Sequence, residues 1–180
     1  MLMKQLTGGT VGGGVGKITI VDTITTSNNT TYTYQKGDFV FFFATNMETN
    51  LNSTTGVAFI TKSTTSYSSA YGCIARITAS DGKFTVGAVG GTVAIIFRKD
   101  TLTQMDTLSI TNNTTYTLDN GDYLFIWGTN TYYTTIASLS GLSQIANSTA
   151  SYTNVGGGIY EITGSFTVGA VGGLKAFVFR

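Results

Sequence analysis

Two glycine-rich stretches have the composition of ligand-binding loops. GGTVGGGVGKIT (8–19) ends in Gly-Lys, as a phosphate loop does before its helix. The register fails in detail. The first glycine of a G-x-x-x-x-G-K-[ST] loop falls on Val11, the required hydroxyl falls on Ile18, and a strand-like sequence follows instead of a helix N-terminus that could hold an anion. FTVGAVGG occurs at 84–91 and again at 166–173; it contains no lysine, no helix follows it, and strand sequence lies on both sides. Its glycines read as a tight connection or bulge.

Other catalytic constellations lack members. The chain has no histidine and one cysteine, Cys73, so the usual zinc, haem and Cys/His nucleophile sets are excluded. Cys73 is expected as a small buried apolar residue. A Ser or Thr nucleophile would need a lysine or carboxylate as base. The repeated acids Asp22/Asp106 and Asp38/Asp122 lie beside turns, which is a sufficient local reason for them without a paired-carboxylate hydrolase. No enzyme and no cofactor is expected.

The 180 residues carry a net charge of +1 and only 11% charged residues, so no basic stripe is available for nucleic acid. No apolar run is long enough for a membrane span, and the N-terminal MLMKQLTGGT lacks the apolar core of a signal peptide. Polarity comes from Thr, Asn, Ser, Gly and Tyr. N-x-S/T triplets such as those at Asn28 and Asn147 follow from that composition.

The elements that must position any site are written twice. VDTITTSNNTTYTYQKGDFVFFFATN (21–46) aligns without gaps on MDTLSITNNTTYTLDNGDYLFIWGTN (105–130), and GCIARITASDGKFTVGAVGGTVAIIFR (72–98) matches GGIYEITGSFTVGAVGGLKAFVFR (157–180). Between these flanks the middles, roughly 47–71 and 131–156, look dissimilar. The organisation expected is a Gly-rich arm (1–16) and two units, 17–100 and 101–180. Strand signals dominate and no helical period is sustained. QKGDF and DNGDY are turns feeding strands 39–44 and 123–128. The fold class expected is all-β, two tandem antiparallel β-sandwich modules of jelly-roll type.

FVFFFA, YLFIWG, AIIF and AFVF are apolar on both faces. A half-exposed strand alternates instead, so these strands either lie between layers or are covered by the sister unit or another chain. From this, a homo-oligomer is expected. The Tyr-, Ser-, Thr- and Asn-rich middles suit adaptable binding surfaces, and Tyr67, Tyr71, Tyr132, Tyr133 and Tyr152 are the candidate contacts. Trp127 aligns with Phe43 and is expected in the core. Gly8, Gly9, Gly12, Gly13 and Gly14 form the candidate assembly arm, flexible or threaded through a tight space.

An alternating Thr/Tyr strand precedes GDFVFFF and GDYLFIW, and GTVAIIF and GLKAFVF close the two units. In these features the chain resembles virion proteins of tailed bacteriophages: fibre, tail-tip and head-decoration proteins. The resemblance implies a structural or host-attachment role, trimers in the fibre case, and other virion proteins as partners. It also implies an arm that docks on the particle, assembly in the host cytoplasm, and a host-surface glycan as a further ligand. The rival reading is a carbohydrate-binding module with two related sites, which calls for equivalent aromatic residues in both middles.

Overall fold

The computed structural model describes residues 16–44, 50–64, 71–89, 92–128, 135–149, 156–171 and 173–180. In chain order the strands are β1 (Thr19–Thr26), β2 (Thr30–Thr33), β3 (Phe39–Ala44), β4 (Asn50–Thr55), β5 (Val57–Thr64), β6 (Tyr71–Ile77), β7 (Lys83–Val89) and β8 (Thr92–Arg98). The second unit follows with β9 (Gln104–Ile110), β10 (Thr115–Tyr116), β11 (Tyr123–Gly128), β12 (Thr135–Thr149), β13 (Gly156–Val171) and β14 (Leu174–Phe179). The described residues are all-β, with no helix, and every strand pairing is antiparallel.

In the first unit a large sheet runs β1-β8-β3-β6-β5 and a small one β2-β7-β4. First strand pairs with last and second with next-to-last, the nested order of a jelly roll. The second unit repeats this scheme with fewer, longer strands. β9 pairs β14, β14 pairs β11 and β11 pairs the first half of β13, while β10 pairs the second half of β13. β13 does the work of β6 and β7 because the turn around Ser80–Asp81–Gly82 has no counterpart. β12 likewise does the work of β4 and β5, bending at Gly141 (φ 71°) where the first unit breaks at Gly56 (φ 80°).

The middles prove equivalent once strand register is used. Bulges between Leu51/Ser53 and Phe59/Thr61 recur between Ile136/Ser138 and Gln144/Ala146, each 85 residues on. The flank offset is 84, so one extra residue between β11 and β12 hid the correspondence. At the corrected offset Gly72 matches Gly157 and Tyr67 matches Tyr152.

FTVGAVGG is mostly strand. Phe84 and Val86, with Phe166 and Val168, are buried in the unit cores, and Gly87 and Gly169 pair with Ser53 and Ser138 at the bulges. Gly90, Gly91 and Gly172 lie outside the described residues.

The twofold apolar character of the central strands follows from four stacked layers with three cores. Val40, Phe42, Cys73, Phe84 and Ile96 fill the space inside the first unit; Leu124, Ile126, Tyr160, Phe166 and Val178 fill that inside the second. Alternate residues of the same strands point the other way. Phe39, Phe41, Phe43, Ile95 and Phe97 meet Phe125, Trp127, Ile159, Phe177 and Phe179 in a third core between the two large sheets. The faces that led the sequence to suggest a second chain are therefore covered within one chain, and the expectation of a homo-oligomer loses that ground. Trp127 is fully buried, as expected, and so is Cys73, whose thiol burial pushes up to about 12.

Contacts across this middle core are reciprocal. A Cβ at Gly72 would lie 2.3 Å from the Trp127 ring, and one at Gly157 would lie 2.6 Å from the Phe43 ring. The equivalent residues Phe41 and Phe125 pack edge to face on one another, with centroids 5.4 Å apart. This is the self-complementary pattern of a two-fold dimer, made inside one polypeptide. We predict that Gly72→Ala and Gly157→Ala each destabilise the protein by about 1–3 kcal/mol in denaturant titration, by forcing the large sheets apart. Phe43→Leu should relieve part of the cost of Gly157→Ala and none of that of Gly72→Ala, a coupling a double-mutant cycle reads directly.

Candidate functional site

The two units point the same way. Gly72 and Phe43 at one end of the first unit touch Phe43's and Gly72's counterparts in the second, Trp127 and Gly157. At the other end, Lys99 lies over the Tyr123 ring. Each unit thus has a loop pole and a turn pole, and like poles adjoin.

At the loop pole the strand ends pair within each sheet. Ala44 pairs with Thr92, Thr64 with Tyr71 and Asn50 with Val89; Gly128 pairs with Leu174, Thr149 with Gly156 and Thr135 with Val171. Tyr67, Tyr132, Tyr133 and Tyr152 lie outside the described residues, and Tyr71 is described only as the first backbone position of β6. The arm glycines Gly8, Gly9, Gly12, Gly13 and Gly14 also lie outside them. Their described boundary, Gly16, sits at the turn pole, where a Cβ would come 2.8 Å from Asp100 Oδ2.

The repeated Gly-Asp turns build the turn pole. Gly37 (φ 98°) and Gly121 (φ 86°) take backbone conformations that other residues strain to adopt. Each turn is fixed by two backbone bonds. The Gly37 amide donates to the Ile77 carbonyl and the Ile77 amide to the Asp38 carbonyl; Gly121, Ile162 and Asp122 repeat the pattern.

The aspartates do more than turn the chain. Asp38, with a side chain only 3% exposed, receives Arg98 Nε at 2.8 Å and Nη2 at 3.0 Å. Asp122 receives Arg180 Nε at 2.8 Å and Nη2 at 3.1 Å, and Arg180 also pairs with Asp119. Each two-pronged pair ties the turn to the end of the unit's last strand, through Arg98 at the end of β8 and Arg180 just beyond β14, a link the sequence reading of these acids as turn residues did not contain. The signal was present as an Arg closing both FR-terminated strands, sixty residues or so from its partner.

Beside each turn is an open cleft. Lys36, Gly37, Arg76, Ile77 and Thr78 line the first, of about 490 Å³. The second, of about 240 Å³, takes Lys17, Asn120, Gly121, Asp122, Tyr123, Glu161 and Arg180. The positions correspond: Asn120 replaces Lys36, and Glu161 replaces Arg76. Arg76 and Glu161 stand opposite Phe39 and Tyr123 in their sheets. Among the described residues, the first cleft therefore carries two cations and no acid, while in the second Lys17 and Arg180 are balanced by Asp122 and Glu161.

Lys99, where the units join, is buried at 6% exposure, and its ammonium has no hydrogen-bond partner among the described residues. Desolvation holds its pKa below the ordinary lysine value, with Asp100 opposing. Among the described residues no group of His, Cys, Asp or Glu side chains could hold a metal ion. No described helix is long and apolar enough to cross a membrane.

No protein-family model, curated protein or solved structure matches this chain. The reading of function therefore rests on its own residues.

The sign of the Lys99 effect is fixed. Its folded pKa is depressed, so between that value and the ordinary lysine value the unfolded chain binds more protons, and stability rises with pH through that window. At neutral pH the full cost of burying the charge remains. Lys99→Met is expected to raise the thermal midpoint at pH 7 by a few degrees and to flatten the rise in stability at alkaline pH, as read by thermal melts across pH.

Proposed function

We propose that the chain is a non-enzymatic structural component of a tailed-phage particle: a fibre, tail or capsid-decoration protein. It joins other virion proteins through its arm and meets the host surface through its loop pole. The observation that supports this most is the opposition of the two ends. Gly16, the described boundary of the arm, lies at the turn pole, and the strand ends that border residues 45–49, 65–70, 129–134 and 150–155 lie at the other. An attachment end and a display end, held apart by strands running between them, suit a protein that links a particle to something beyond it. The all-β stack with its jelly-roll pairing order agrees with the virion resemblance carried by the GDF, GDY and closing-strand motifs.

The rival, a duplicated carbohydrate-binding module, gains one specific support: Tyr67 and Tyr152 hold the same position in the two units. Tyr71 corresponds to Gly156, and Tyr132 and Tyr133 fall in the segment that is one residue longer in the second unit. One recurring tyrosine among diverged neighbours is compatible with glycan contact at the loop pole of a particle protein.

Deletion of residues 1–16 is expected to abolish incorporation into particles while leaving the thermal midpoint of the remaining chain in place. A truncated protein that incorporates normally contradicts the docking role. On a glycan array, a monomer that binds sugar strongly, and loses it only when Tyr67→Ala and Tyr152→Ala are combined, would replace the virion reading with the carbohydrate-module one.

A further inference from the structure

We infer that the first cleft is an oxyanion site, taking a carboxylate, sulfate or phosphate-ester group from a ligand that enters at the turn pole. The inference does not rest on the function proposed above. It rests on how two cations are held with no acid between them among the described residues.

Arg76 is exposed yet placed. Its guanidinium carbon sits 5.6 Å from the centre of the Phe39 ring, its cross-strand neighbour, and its Nη2 lies 3.7 Å from where a Cβ of Gly37 would be. An aromatic face on one side and a bare glycine on the other orient the planar fork, which reduces the ordering that binding must supply. Lys36, on the same turn as Gly37, adds a second positive charge to the cleft. The nearest turn acid, Asp38, is buried and already taken by both prongs of Arg98, so it does not neutralise either cation. A fork with parallel N–H groups matches two oxygens of a carboxylate, sulfate or phosphate, and an adjacent ammonium adds Coulomb attraction that salt will weaken.

The second unit supplies an internal control. With Asn120 for Lys36 and Glu161 for Arg76, the same backbone frame presents a cleft without the cation excess. Duplication has kept the turn and changed the charges, as expected if only one cleft has a ligand of this class.

The test uses the intact protein in heteronuclear NMR, titrated with sodium acetate and, separately, sodium sulfate and inorganic phosphate, against sodium chloride at equal ionic strength. Saturable shifts are expected at the amides of Gly37, Ile77 and Thr78, with roughly millimolar affinity, and none at Gly121 and Ile162. Arg76→Glu and Lys36→Asn import the residues that the sister cleft already carries on the same frame, and each should weaken binding by about tenfold or more. Unchanged spectra away from the cleft would verify folding. Response to acetate alone assigns a carboxylate ligand, and response to sulfate or phosphate alone assigns an ester of those acids; either supports the site. No saturable shift up to about 50 mM, equal shifts in both clefts, or binding that survives both substitutions would overturn it.

Discussion

The packing of one large sheet on the other is the interaction on which the rest of this chain depends. Phe41, Phe43 and Phe97 share one core with Phe125, Trp127 and Phe177 of the sister unit. A unit of about 80 residues buries too little surface in its own sandwich to be robust alone. The shared middle core adds a layer of aromatic rings to each. The two glycines at its loop end, Gly72 and Gly157, set how closely the sheets approach, because each is the floor on which an opposing ring lies. Trp127 contributes ring area at some cost, since its indole N–H has no partner among the described residues.

That packing also determines where functional surfaces can be. By joining the units side by side with like ends together, it places the Gly-Asp turns, the Asp–Arg ties and both clefts at one pole and the strand ends that border residues 45–49, 65–70, 129–134 and 150–155 at the other. The duplication then becomes useful asymmetrically. The ties Asp38–Arg98 and Asp122–Arg180 are retained in both copies because each secures a turn to the final strand, whereas the residues lining the clefts beside them are free to differ in charge. Lys99 sits at the junction itself, a buried cation over the Tyr123 ring face whose ammonium has no hydrogen-bond partner among the described residues.

Much of the architecture was legible in the residues. GDFVFFF and GDYLFIW announced a turn and a buried central strand, and the all-β antiparallel class followed from the same signals. What covers the outer faces of those strands was not legible, because an apolar residue reads alike whether its neighbour is a sister unit or another chain. The edge strands β4 and the start of β12 escaped notice since NLNSTT and TIASLS lack a clear alternation, and their bulges break what period there is. The cleft residues Lys36 and Arg76 were missed for a different reason: they are forty residues apart, and only the register that sets Phe39 opposite Arg76 brings them to one place. The candidate tyrosines came from composition, and all but Tyr71 lie outside the described residues.

Equilibrium unfolding followed by three probes tests the dependence on the middle core most directly. Trp127 is the only tryptophan and lies between the units, Cys73 is the only cysteine and lies inside the first, and far-ultraviolet circular dichroism reports all the strands. The two units should unfold as one, so that tryptophan emission, thiol reactivity and sheet signal change in a single coincident transition. A second transition in the sheet signal, after Trp127 has become exposed, would show a unit standing without its sister and would contradict the account.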